Sequence, residues 1–220
     1  MNIDEKITAN IYGNKKKINN FIKLFNKKKE GDVWLIQGIK GIGKSKFILN
    51  LTKKLLDINN FDAEEIINPD FYLIKQLDLN KKFIAVDNVR KINHFHSTTS
   101  NKERKITMID SISELNIHGH NSILKILENH PINSNIFLID HLSHPFPATI
   151  RSRCKILRLD PLKESEVYKV LEKILTNQKK ETLNFYTKLS NGSPGKALEL
   201  YEYNGKKVLE IICEFIINIK

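Results

Sequence analysis

The chain has 220 residues, 40% of them hydrophobic, enough for the core of one large domain or two small ones. Its formal net charge of +11 permits an anionic partner such as DNA, but only five of 36 basic residues are arginine and the lysines lie in short scattered runs; compositional bias toward Lys, Ile and Asn explains the charge better than a dedicated groove. Cys154 and Cys213 alone exclude a disulfide framework and a cysteine-rich zinc module, and the absence of an apolar leader, with Glu210 and Glu214 interrupting the apolar stretch Val208 to Ile219, leads to the expectation of a cytoplasmic protein without a membrane span.

Asn14 to Lys29 carries Ile18, Phe21, Ile22 and Phe25 at helical spacing and stops at Glu30-Gly31-Asp32. An apolar run, Val33-Trp34-Leu35-Ile36-Gln37, then reads as a strand and leads directly into Gly38-Ile39-Lys40-Gly41-Ile42-Gly43-Lys44-Ser45. That octapeptide fits the phosphate-binding pattern G-x-x-x-x-G-K-[ST] at every fixed position. Its glycines free the backbone so that N–H groups can converge on phosphate oxygens at the positive end of the next helix. Lys44 is expected to reach the outer phosphates of ATP and the Ser45 hydroxyl a Mg²⁺ ion. Phe47, Ile48, Leu51, Leu55 and Leu56 continue as a helix, and apolar runs at Phe71 to Ile74, Ile106 to Ile109, Ile136 to Ile139 and Ile156 to Leu159 are candidate strands. Helical patterns between them, notably Asn121 to Leu127, make residues 1–160 an α/β domain with a mostly parallel, helix-covered sheet. From Pro161 only helices follow, at Glu164 to Thr176, Lys180 to Leu189 and Ser193 to Tyr203, giving a small all-helical domain over residues 161–204. Ser193 is its last helix's expected N-cap and Pro194 the first helical residue. Residues 205–220 read as one further helix, the start of a C-terminal helical region.

Phosphate-loop enzymes hold Mg²⁺ with an acid on a neighbouring strand, and Asp110 ends the run Lys105-Ile106-Thr107-Met108-Ile109. The next position, where such an ATPase usually places a glutamate to polarise water, is Ser111. General-base catalysis is typically worth about 10² to 10⁴ in rate, so a chain with serine there is expected to bind ATP yet turn it over poorly. Glu114, one turn on, is the nearest acidic substitute in the sequence after Ser111. The seven histidines, including His94, His96, His118, His120 and His141, show His-x-His spacing without an accompanying carboxylate pattern, weak evidence for a metal, and are expected to be solvated loop residues.

Pro147-Ala148-Thr149-Ile150-Arg151-Ser152-Arg153-Cys154 resembles a signature of the clamp-loader branch of the AAA+ ATPases, in particular the delta-prime subunits of bacterial DNA polymerase III. Ile11-Tyr12-Gly13-Asn14, Ile84 to Arg90, Asn121 to Glu128 and Gly192-Ser193-Pro194-Gly195-Lys196-Ala197-Leu198 resemble further motifs of that family in the family's order, over about residues 11 to 200. The resemblance implies an AAA+ phosphate-loop domain followed by a helical lid, with Ile11 against the adenine and Lys196 as a nucleotide contact at the second-sensor position. It also implies that Arg153 is an arginine finger entering the nucleotide site of an adjacent subunit, with Arg151 a surface or interface charge and Cys154 a small apolar neighbour. Implied partners are the other clamp-loader subunits, an ATPase subunit and a delta-like subunit, and through them the sliding clamp and primed DNA. Two departures stand out. No Cys lies in residues 46–109, where family members commonly carry a four-cysteine zinc module, so no zinc is expected. The family's third, collar domain is expected to be truncated. Two rival functions are a self-sufficient, motor-like ATPase using Glu114 or a residue outside the motif as base, and a non-catalytic scaffold whose loop, Gly38–Ser45, is a relic.

Overall fold

A computed structural model describes residues 12–27, 31–58, 68–75, 84, 86–98, 104–145 and 147–218; Ile11 lies outside the described residues. Five strands form one parallel sheet: β1 (Val33–Gln37), β2 (Phe71–Lys75), β3 (Lys105–Asp110), β4 (Ser134–Asp140) and β5 (Lys155–Arg158), in the order β2-β3-β4-β1-β5. Every pairing is parallel, as connections through helices require, and the central strand β4 is buried along its whole length, which is why it reads as a continuous apolar run.

Alternate residues of β1 serve opposite faces. Trp34 packs edge-on to Phe21 of helix α1 (Lys15–Lys27), with ring centroids 4.6 Å apart. Phe21 in turn meets Phe47 of α2 (Lys44–Leu55) at 5.5 Å, and Phe25 meets Phe137 of β4 at 6.0 Å. Each such ring pair contributes about 0.5–1.5 kcal/mol beyond area burial. On the other face Val33 and Leu35 join Val89 and Ile92 of α3 (Val86–Ser97) and Ile123, Ile126 and Leu127 of α4 (Ile117–Glu128). Helix α3 opens within the run Ile84 to Arg90 and buries Val89 and Ile92. A single 3₁₀ turn, Ile112–Glu114, follows β3, and the short α5 (Ala148–Arg151) precedes β5.

The histidine expectation is corrected here. His94 and His96 lie on α3, and His118 and His120 on α4, in helices and not in loops. His120 is buried and its Nε2 pairs with the Ile112 carbonyl at 3.1 Å; His96 pairs with Thr107 Oγ1 at 3.0 Å. Burial first, then the nearby charges of Lys105 and His130, drives the His96 pKa down to about 4, so this ring is a neutral packing group at physiological pH.

Contacts divide the chain into two compact units, residues 1–39 with 44–160, and residues 161–220 together with the loop tip 40–43. In the first unit Asn14 closes a reciprocal pair with the backbone of Asp160, donating from Nδ2 to its carbonyl (2.8 Å) and accepting its N–H (2.9 Å). The second unit holds α6 (Glu164–Ile174), α7 (Lys180–Leu189), α8 (Pro194–Glu202) and α9 (Gly205–Asn218). Its core uses Val167, Leu171, Leu183, Tyr186 and Ala197, the inward positions of three amphipathic helices. Among the described residues no helix is long and apolar enough to cross a membrane.

Candidate nucleotide site

The strand order places the site. β4 lies between β1 and β3, so the loop after β1, the acid at the end of β3 and whatever ends β4 must converge at the carboxyl edge of the sheet. Gly41 (φ 83°) and Gly43 (φ 94°) hold backbone angles that side chains disfavour, which lets residues 38–45 turn tightly into α2. Lys44 is 2% exposed, and its Nζ donates to the carbonyls of Gly38 (2.6 Å) and Ile39 (2.7 Å), so its charge is held inside the loop by the loop's own backbone. Burial lowers the Lys44 pKa to about 8, with the carboxylates of Asp110 and Asp140 opposing the fall.

Ser45 Oγ donates to Asp110 Oδ2 at 2.5 Å, bringing the two expected Mg²⁺ ligands together. The other oxygen of Asp110, Oδ1, lies 3.3 Å from His141 Nε2. Burial works to raise the Asp110 pKa, but the His141 and Ser45 side chains and the Lys44 charge outweigh it and hold the carboxyl below its ordinary value. Among the described residues no group of three or more His, Cys, Asp or Glu could hold a metal. Ser45 and Asp110 offer oxygen ligands of the hard kind that Mg²⁺ takes, one or two from protein with phosphate and water completing the shell.

Two neighbours escaped the sequence reading. Asp140, at the end of β4, accepts from Gln37 Nε2 and from the Leu142 N–H, each at 2.8 Å, and His141 follows it into the site. The signal existed, since Ile136 to Asp140 repeats the pattern of an apolar strand ending in an aspartate that identified Asp110.

Ser111 is fully buried and shares a hydrogen bond with Ser113 (2.8 Å), which pairs with Ser143 (3.2 Å). The position after Asp110 thus opens a chain of three hydroxyls and carries no carboxylate. The backbone of Glu114 is fixed by bonds to Ser111 and Ile84. Lys196 exposes its side chain on α8; what reaches the loop tip from that helix is the Ser193 hydroxyl and the Gly195 N–H.

Arg153 sits just before β5, at the amino edge of the sheet, whereas the phosphate loop leaves β1 at the carboxyl edge, level with Arg158. About five residues of strand, roughly 16 Å, separate the two levels. The guanidinium donates to the Thr149 carbonyl (2.9 Å) and pairs with Glu128 at 2.7 Å, remaining 38% exposed. The structure thus joins Arg153 to the glutamate that ends the Asn121 to Glu128 motif. An exposed pair of this kind is worth about 0–1 kcal/mol, so its release costs little. Arg153 also lines a mixed, mainly polar cleft of about 510 Å³ with Asp32, His130, Cys154, Lys155 and Ile132, the last of which is 71% exposed. Cys154 donates to the Ile150 carbonyl, and burial pushes its thiol pKa up to about 12, which leaves it no thiolate for nucleophilic chemistry.

Comparison with known proteins adds a lineage to this geometry. Residues 13–163 match the family described as "DNA polymerase III, delta subunit". Similar proteins include a DNA polymerase III subunit gamma of Buchnera aphidicola subsp. Schizaphis graminum, 29% identical over 187 residues (77% of this chain, 50% of the relative). Two subunits delta' are also similar: that of B. aphidicola subsp. Baizongia pistaciae, 38% identical over 103 residues (46% and 31%), and that of Escherichia coli K12, 26% identical over 193 residues (82% and 57%). The chain spans about half the length, or less, of these curated relatives. Among solved structures, a gamma subunit-related protein of Thermotoga maritima matches with TM-score 0.54 at 22% identity, covering 77% of this chain and 57% of that one. A T. maritima RuvB variant matches with TM-score 0.61 at 17% identity, covering 94% and 67%. At these identities the likeness concerns the fold alone, and that fold is the AAA+ α/β domain expected from the sequence motifs.

Proposed function

Because the chain belongs to the DNA polymerase III delta-subunit family, we propose that it is a delta-prime-like clamp-loader subunit: a nucleotide socket with little turnover of its own, whose Arg153 serves a neighbouring subunit. The observation that carries this reading is the opposition of the two sites on one sheet. Arg153 lies at the amino edge and the phosphate loop at the carboxyl edge, which keeps Arg153 away from its own chain's nucleotide loop and leaves it partly exposed beside a mainly polar cleft.

In the socket, Lys44 would exchange the carbonyls of Gly38 and Ile39 for phosphate oxygens, and the backbone N–H groups around Gly41 and Gly43 would complete the cradle. Ser45 and Asp110 would hold Mg²⁺, which supplies neutralisation of phosphate charge when bound. His141 orients Asp110, while Gln37 and the Leu142 N–H fix Asp140 beside the ammonium. Lys196 and Ile11 are proposed secondary nucleotide contacts, from lid and opening segment. Ser111 offers no base, so the attacking water at this chain's own loop stays unactivated. At the neighbour's site, the planar, permanently charged guanidinium of Arg153 would leave Glu128 and stabilise the charge spread over the transferred phosphoryl oxygens. The proposed partners are an ATPase subunit and a delta-like subunit in a hetero-oligomer that acts on the sliding clamp at primed DNA in the cytoplasm.

Calorimetric titration of the chain with Mg²⁺-ATP tests the socket. One saturable site is expected; a flat titration would instead mark the loop as a relic and the chain as a scaffold.

A further inference from the structure

The tip of the phosphate loop and the start of α8 are bonded to one another within the second compact unit. Ser193 Oγ donates to the Lys40 carbonyl at 2.7 Å, and the Gly195 N–H donates to the Gly41 carbonyl at 2.9 Å. The same Ser193 oxygen accepts the Lys196 N–H at 3.1 Å, so one buried hydroxyl both caps α8 and grips the loop. Packing is as close as backbone allows. A Cβ on Gly195 would lie 2.7 Å from the Gly41 Cα, and one on Gly41 would lie 2.4 Å from Ser193 Oγ.

In a planar trans peptide the C=O and N–H point in opposite directions. Fixing the carbonyls of Lys40 and Gly41 against α8 therefore turns the N–H groups of Gly41 and Ile42 away from α8. We infer that Ser193 is a positioning residue for the phosphate loop: with the Gly195 N–H it clips two successive carbonyls and sets the direction of the amides that meet phosphate. This rests on the reading of Gly38–Ser45 as a nucleotide socket, and it gives Gly195 a role of its own, since any side chain there would push the loop away. An N-cap needs only an acceptor at position 193; the clip also needs a donor.

That difference supplies the test. Ser193→Thr keeps donor and acceptor, Ser193→Asp keeps the cap without the donor, and Ser193→Ala loses both. Amide exchange at Gly195 and across residues 41–43, measured by NMR on the whole chain without nucleotide, should match wild type in Ser193→Thr and be about fivefold faster in Ser193→Asp, the loss of one hydrogen bond, and at least as fast in Ser193→Ala, which also loses the cap. Mg²⁺-ATP affinity should weaken by about the same factor in the last two. Gly195→Ala offers a second arm: helix propensity alone favours alanine, whereas the clip predicts faster exchange in the loop. Wild-type exchange in Ser193→Asp together with Gly195→Ala would overturn the clip. If exchange responds as expected but no variant, wild type included, binds Mg²⁺-ATP, the clip stands and the socket reading falls.

Discussion

Arg153→Ala in an otherwise intact complex is expected to lower DNA-stimulated ATP turnover at the neighbouring subunit's site by roughly 10³ to 10⁵-fold, the effect of an arginine finger supplied in trans. The fold of this chain should not suffer, because the side chain is partly exposed and its pair with Glu128 is a surface one. Arg153→Lys should recover little of the rate: a point charge on a flexible stem lacks the planar fork that spans two phosphoryl oxygens. Glu128→Ala provides the control, since it frees the guanidinium without removing it and should leave turnover within a few-fold of wild type. A fall of less than tenfold for Arg153→Ala would reduce Arg153 to a structural surface residue.

Lys44→Ala is expected to weaken Mg²⁺-ATP binding by roughly 10²-fold, the worth of charge-assisted bonds to a buried ammonium. The affinity of the wild-type chain should also depend on pH in a direction set by Lys44. In the empty loop its pKa is lowered to about 8, and bound phosphate charge can only raise it. Below pH 8 the ammonium is charged in both states and affinity is flat. Above pH 8 binding must take up a proton, so affinity falls by up to tenfold per pH unit until the bound-state pKa is reached. Lys44→Ala should abolish that slope, and calorimetry between pH 7 and pH 9.5 measures it directly.

How much of this was legible in the sequence varies with the range of the interactions involved. The loop and Asp110 were readable because each is a local pattern, a strand ending in specific residues, and the structure brings Ser45 and Asp110 into contact. Ser193 was readable as a cap for the same reason, but its grip on Lys40, 153 positions away, was not. Asp140 and His141 enter the site only because β4 inserts between β1 and β3, and strand order has no signature in a single chain. The pairing of Arg153 with Glu128 likewise joins two motifs through tertiary contact. Histidines were misjudged because solvated and buried rings look alike in sequence: His120 is enclosed by the 3₁₀ turn and His96 by β3, neighbours supplied by the fold.

On the proposed function, nucleotide binding at Gly38–Ser45 is separate from chemistry, to which Arg153 contributes in a neighbouring subunit. Steady-state ATP turnover by the isolated chain, with Mg²⁺ in excess, tests that division most directly. The expected result is turnover indistinguishable from that of Lys44→Ala, because Ser111 replaces the base and no neighbour supplies an arginine. Turnover of about 1 s⁻¹ or faster, in the ordinary range for enzymes and lost in Lys44→Ala, would contradict it and make the chain an ATPase in its own right.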